Sequence, residues 1–272
     1  MVATIADNPI LNGEAIRLDR AIRTAPRWPL RPRLGRPVRT LPRQSGRPGP
    51  AWARFDPLPL GPMMEAATTA FTEQGYHGAS VRAIAHLAGV TVPTLYYHHG
   101  NKQGLLVDLL NASMSDLVER SEHAVAAAGP QPLSRFVDVV DATVRFMCHR
   151  QRIARLDPEA RYLDGEQRAS DAALRKRFES QVLGLLEDGA AAGIFESEHA
   201  VDLNRAILGA FQSIAIWYRS DGEFGPAEIA RRHVAFALDA TRTDRRHRAE
   251  ALRRVDDRLV AVTDDDGPLR VR

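Results

Sequence analysis

Between Ser80 and Lys102 the chain reads SVRAIAHLAGVTVPTLYYHHGNK, and the polar side chains there suit recognition better than bond making. Thr91 and Thr94 can donate to or accept from base edges or phosphates, while Val92 and Pro93 can lie against a thymine methyl. The hydroxyls of Tyr96 and Tyr97 suit phosphate oxygens, and Ser80 and His98 complete the polar set. Arg82 is the one guanidinium in the stretch that could read a guanine with two parallel hydrogen bonds. Lys102 and the first free backbone N–H groups of the helix that Asn101 would cap form a natural phosphate contact. Reaction chemistry has no comparable pattern. There is no G-x-S-x-G elbow, phosphate-binding Walker loop or dinucleotide glycine pattern, and no carboxylate–histidine cluster at metal spacing, so neither enzyme activity, a cofactor nor a metal is expected. His77, His86, His98 and His99 are expected in surface or capping roles.

The elements that would position these groups follow from local chemistry. Ser80 is a good N-cap, Val81, Ile84, Ala85 and Ala88 recur at helical spacing, and Gly89 allows a left-handed turn. Val90 would pin that turn from inside, Thr91 caps a second helix, Pro93 fits its first turn, and Leu95 anchors it inward. The expected product is a helix-turn-helix whose second helix fits the major groove. Upstream, Pro62 begins a bracing helix with Met63, Met64, Ala67, Ala70 and Phe71 on one face, stopped at Gly75. Downstream, a long helix runs from Asn101 toward Ala128 and stops at Gly129-Pro130.

The stretch from Met63 to Leu110 resembles the DNA-binding domain of the tetracycline-repressor (TetR) family. The resemblance is carried by Phe71, Gly75, Tyr76, Ser80, Arg82, Ile84, Ala85, Gly89, Val90, Thr94, Leu95, Tyr96, His98, Lys102 and Leu105. One departure stands at His99, where the family usually has an aromatic residue that packs between the reading helix and the core. The resemblance implies an all-α chain: an N-terminal three-helix helix-turn-helix DNA-binding domain followed by a helical ligand-binding and dimerisation domain. It also implies a homodimeric, ligand-responsive transcriptional regulator acting on a double-stranded DNA operator. The competing reading is a helical interaction protein that keeps this fold without sequence-specific DNA binding.

The 272 residues carry a formal charge of only +3, but unevenly. Residues 1–56 hold a run of arginines from Arg17 to Arg54 and prolines that prevent a continuous helix, with a short helix conceivable at Ala15 to Ala25. A disordered arm is expected there. Either it adds non-specific phosphate attraction to a head that offers only Arg82 and Lys102 against Glu65 and Glu73, or it reflects coding bias and is dispensable. The expected organisation continues with a DNA-binding domain at 57–104, a regulatory and dimerisation domain at 105–241, and a charged tail at 242–272 with a helix around Ala249 to Val262. Cys148 is the sole cysteine, and neither a membrane-spanning run nor a signal peptide is evident, so a cytoplasmic protein without a disulfide framework is expected.

From Pro132 the pattern is helical throughout, over Pro132–His149, Glu166–Gly193, Ala200–Arg219 and Pro226–Thr241, with a broken region at Gln151–Gly165. Phe136, Phe146, Met147, Phe178, Phe211 and Trp217 are the candidate lining of an effector cavity, although ordinary core packing is the competing role for each. Arg145, Arg150, Arg152, Arg155 and Arg175 could add a basic lining for an anion. Trp217-Tyr218-Arg219, Gly222 and Glu228-Ile229-Ala230 resemble family regulators that respond to acyl or sterol-derived coenzyme A thioesters, which makes an acyl-CoA one candidate effector. By the same resemblance the last two of these helices form the dimer interface, with Leu203, Ala206, Ala210, Ser213, Val234 and Leu238 facing the partner or an intrachain core.

Overall fold

A computed structural model of the chain describes residues 50–196 and 198–262. The expectations for the Arg/Pro-rich segment through residue 49 and for residues 263–272 lie outside the described residues. Ten α-helices and no strands occur among the described residues, and none of these helices is long and apolar enough to cross a membrane.

Helices α1 (Pro62–Gly78), α2 (Val81–Leu87) and α3 (Val92–His99) build the head. Pro62 opens α1, and Gly75, at φ 71°, breaks it where the sequence predicts a stop. The Oγ of Ser80 accepts from the Ala83 N–H and caps α2. Gly89, at φ 68°, turns the chain, and the Thr91 Oγ1 accepts from the Thr94 N–H to cap α3. Ala67, Ala70, Phe71, Ile84, Ala85 and Leu95 are buried together, with Val90 packed at their margin.

Helix α4 (Lys102–Ala128) begins where the Asn101 side chain accepts from the Gly104 N–H, and it ends at Gly129, φ 81°. Its Leu105, Leu106, Val107, Leu109 and Leu110 complete the head core, and its Met114, Leu117, Val118 and Ala124 belong to the next core. A glycine in the first turn of a helix normally weakens it. Gly104 is explained by close approach, because a Cβ there would lie 1.8 Å from the His99 carbonyl oxygen at the end of α3.

The second core is organised around α5 (Pro132–His149), which packs against α4, α7 (Gly165–Ala191), α8 (Ala200–Trp217), α9 (Pro226–Ala240) and α10 (Arg245–Val262). Every residue of α5 from Phe136 to Cys148 is buried. Burial pushes the Cys148 thiol up to about 12, so it stays protonated at neutral pH. The region expected to be broken is the short α6 (Gln151–Ala154) and a 3-10 turn at Asp157–Tyr162. That region does not stay with the regulatory core. Ile153, Leu156 and Leu163 are buried in the head core, so the sequence-based division at residue 104 does not coincide with the division of the two cores.

Both outer segments pack on the regulatory core. Residues 51–53, expected within a disordered arm, form a 3-10 turn at Ala51–Ala53 that buries Trp52 there. Phe55 stacks on His149, with ring centroids 4.3 Å apart. The Arg120 guanidinium covers the Phe55 ring and donates to the carbonyls of Trp52 and Arg54 at 3.0 and 2.6 Å. At the other end, the helix expected around Ala249 to Val262 in the charged tail is α10, which starts earlier, at Arg245, and buries Ala251 and Val255. Arg254 donates twice to Asp138 at 2.8 Å, Arg258 reaches both Asp138 and Asp141, and Arg145 donates to Asp141 at 2.6 Å. Asp138 and Asp141 are buried in the middle of α5, and these guanidinium partners offset the cost of taking their carboxylates out of water.

Two stability outcomes follow. Asp138→Ala strips a carboxylate from Arg254 and Arg258 and is expected to cost about 3–5 kcal/mol in chemical denaturation. Gly104→Ala would gain about 1 kcal/mol if helix propensity decided the outcome. The close approach to His99 reverses the sign, and a loss of about 1–3 kcal/mol is expected in the same measurement.

Candidate nucleic-acid interface and effector cavity

The head holds α3 by one face and leaves the other open. Leu95 is fully buried, whereas Thr91, Pro93, Tyr96, Tyr97 and His98 are exposed and Val92 and Thr94 are half-buried. Tyr97 is 86% exposed and meets the neighbouring His98 edge-on, so packing does little to account for a tyrosine there. The Thr91 and Thr94 hydroxyls are 2.8 Å apart, which fixes both rotamers at the N-terminal end of α3. Ser80 and Arg82 are exposed at the start of α2. The polar groups singled out by sequence on α2 and α3 are thus exposed or half-buried.

Lys102 sits differently from a free surface lysine. Its Nζ donates to the His77 carbonyl at 3.3 Å and lies 4.6 Å from the centre of the Tyr76 ring. Desolvation lowers its pKa from the ordinary lysine value. An ammonium has three donors, so this one is held in place with donors remaining. The His99 side chain, at the family's aromatic position, is largely buried, and its Nδ1 donates to the Asp108 carboxylate at 2.5 Å. A polar tether to α4 thus replaces an apolar plug at the end of the recognition helix.

Sequence reasoning missed the joint behind this surface. Tyr162, from the 3-10 turn, stacks on Tyr76 at 5.4 Å and meets His77 edge-on at 4.2 Å, and its carbonyl accepts from Gln103 at 3.1 Å. Its partners lie far away in sequence, so no local pattern marks them. Gly104 did carry a signal, as a helix-weakening residue in an otherwise strong helix.

A cavity of about 190 Å³ lies among α4, α5, α7 and α8. Phe146, Met147, Phe178 and Phe211 line it as expected, together with Met114, Leu117 and Leu208. Two of the six candidates do not. Phe136 is buried elsewhere in the core against Phe195, with centroids 5.0 Å apart. Trp217 is 47% exposed on the outer face, where its Nε1 donates to the Ser213 hydroxyl. Both residues have helical periodicity, which distinguishes buried from exposed faces but not core from cavity.

The expected basic lining is also corrected. Arg145 pairs with Asp141, Arg150 with Asp116, and Arg155 donates to the carbonyls of Ala215 and Ile216. Arg152 reaches Thr69 on the head. Of the five, only Arg175 lines the cavity, and it is bound to Asp157 and Asp171. Those hydrogen bonds and charges raise its pKa despite burial. On the dimer question, Val234 and Leu238 are buried within their own chain, while Ala206 is exposed and Ala210 and Ser213 are half-buried.

Comparison with known proteins matches these two regions separately. A family described as "Bacterial regulatory proteins, tetR family" matches residues 63–109, and one described as "Tetracyclin repressor-like, C-terminal domain" matches residues 129–241. The HTH-type transcriptional repressor KstR2 of Rhodococcus jostii is 25% identical over 179 residues, covering 65% of this chain and 88% of that protein. The fatty acid metabolism regulator protein of Bacillus subtilis is 35% identical over 63 residues, 23% of this chain and 32% of that protein. Among solved structures, the TetR-family regulator PfmR from Thermus thermophilus superposes with a TM-score of 0.60 at 27% identity, covering 65% of this chain and 97% of PfmR. From the open face of α3, the helical domain behind it and these matches, the chain belongs to the TetR family of DNA-binding transcriptional regulators, which are not enzymes.

Proposed function

We propose that the chain acts as a homodimeric repressor that binds a palindromic operator and leaves it when a small, largely apolar effector enters the cavity. The observation that carries this reading is the open face of α3, where Tyr97 is almost fully exposed beside paired threonines while Leu95 anchors the helix. On this reading Thr91, Thr94 and Arg82 meet base edges, and Val92 and Pro93 meet thymine methyls. Ser80, Tyr96, Tyr97, His98 and Lys102 hold the backbone. Repression is supported by the KstR2 relative, which is itself named a repressor.

Pairing of two chains is supported by the outer face of α8 and α9, where Ile216, Trp217 and Phe236 are all close to half exposed or more. Apolar side chains of that size, grouped with the small residues Ala206, Gly209 and Ala210, suit close packing against a second copy. Two heads would then address half-sites about 34 Å apart on one face of the duplex.

Release needs a path from cavity to head, and the 3-10 turn offers one. Asp157 lines the cavity, where it pairs with Arg175 at 2.5 Å and accepts from Gln212 at 2.6 Å. Tyr162, at the other end of the turn, is stacked on Tyr76 of the head. An effector that rearranges the Asp157 contacts would shift the head through Tyr162 and α4 together. A useful switch requires the two conformations to differ about 100-fold in effector affinity, on the order of 3 kcal/mol. A fatty acyl chain suits the Phe, Met and Leu walls, and the Bacillus subtilis relative, whose name refers to fatty acid metabolism, keeps an acyl-CoA among the candidate effectors.

Footprinting on DNA flanking the chain's own gene, with light scattering for mass, tests the reading. Two protected half-sites and a dimer are expected. A monomer that protects nothing would favour an interaction protein of the same fold. Arg82→Ala is expected to relax specificity at one base pair, costing about 1–3 kcal/mol there. Lys102→Ala is expected to weaken binding to all sequences alike and to flatten the dependence of affinity on salt.

A further inference from the structure

We infer that the part of the effector held in the cavity is uncharged and donates a hydrogen bond to Asn204, so that the cavity selects a hydroxylated apolar chain or ring over an anion. This rests on the reading of the cavity as the effector site. Asn204 is 6% exposed and lines the cavity from α8. Its Nδ2 donates to the Glu179 backbone carbonyl at 3.0 Å, while its Oδ1 is buried and has no hydrogen-bond partner among the described residues. The amide cannot relieve this by flipping, since the flip would set two carbonyl oxygens against each other. A buried acceptor without a partner is destabilising, and a donor supplied by a ligand removes that penalty.

The neighbouring groups favour the same ligand chemistry. Thr143 lines the cavity from α5, and its hydroxyl proton is committed to the Val139 carbonyl at 2.7 Å, so towards a ligand its oxygen can only accept. Arg175, the cation that would attract a carboxylate, is held by Asp157 at 2.5 Å and by Asp171 at 2.6 and 3.2 Å. Two carboxylates against one guanidinium leave that wall net negative. Arg205 is at the rim, largely solvent-exposed and 3.5 Å from Asp202. An anion would have to displace Asp157 from Arg175, whereas an alcohol displaces nothing and can relieve the unpartnered Oδ1 of Asn204.

Calorimetric titration of the full-length protein with 1-octanol, octyl methyl ether and octanoate separates the possibilities, because the three share an apolar chain and differ in donor and charge. Octanol is expected to bind roughly tenfold tighter than the ether and than octanoate. In Asn204→Leu the advantage of octanol over the ether is expected to vanish, with the ether bound as before. Equal binding of octanol and ether by the unaltered protein, or a preference for octanoate, overturns the inference and leaves the effector reading standing. Retention of the octanol advantage in Asn204→Leu overturns the assignment to that residue. Binding of none of the three overturns both the inference and the effector reading. If Asn204→Leu does not fold, the comparison on the unaltered protein still decides on ligand class.

Discussion

One rigid helix has to satisfy two hydrophobic cores. Along α4, five residues from Leu105 to Leu110 are buried in the head, and those from Met114 to Ala124 are buried in the regulatory core. A helix of 27 residues is about 40 Å long and has no soft point unless a proline, glycine or bulge supplies one. The one glycine in α4 lies in its first turn, against the end of α3, so the body of the helix is stiff. Any tilt imposed at its regulatory end must therefore reappear at the recognition helix. The stacked Tyr162 and Tyr76 give the head a second fixed point, with Ile153, Leu156 and Leu163 completing its core from the regulatory side.

Electrostatics reinforces this arrangement by removing arginines from the surface field. Many of the chain's arginines serve as clamps between elements. Arg120 and Arg150 share Asp116, Arg175 joins the 3-10 turn to α7, and Arg254 and Arg258 pin α10 to α5. Arg152 links α6 to Thr69 on α1. Among the described residues, what faces outward near α3 is accordingly sparse in positive charge and rich in hydroxyls and aromatic rings.

Most of the head was legible in the sequence because its determinants are local. The caps at Ser80, Thr91 and Asn101, the turn at Gly89 and the inward Leu95 act within four residues of one another, and each stands where its chemistry predicts. Legibility failed where partners are distant. Asp138 gives no sign of Arg254, 116 residues on, so the helix expected around Ala249 to Val262 could be read but its docking on α5 could not. Trp52 follows a proline-rich segment and reads as part of it, although it is buried against residues far along the chain. Phe136 and Phe211 are equally apolar and equally helical in phase. Only packing decides that one fills a core and the other lines a cavity.

The charge cluster on α5 also bears on the order of assembly. A ribosome makes Asp138 more than a hundred residues before it makes Arg254 and Arg258, its two partners, whereas Asp141 finds Arg145 one turn along the same helix. Until those two arginines emerge, Asp138 resists leaving water, and its neighbours cannot close over it without a steep electrostatic penalty. Final closure over the central helix therefore waits on the arrival of α10.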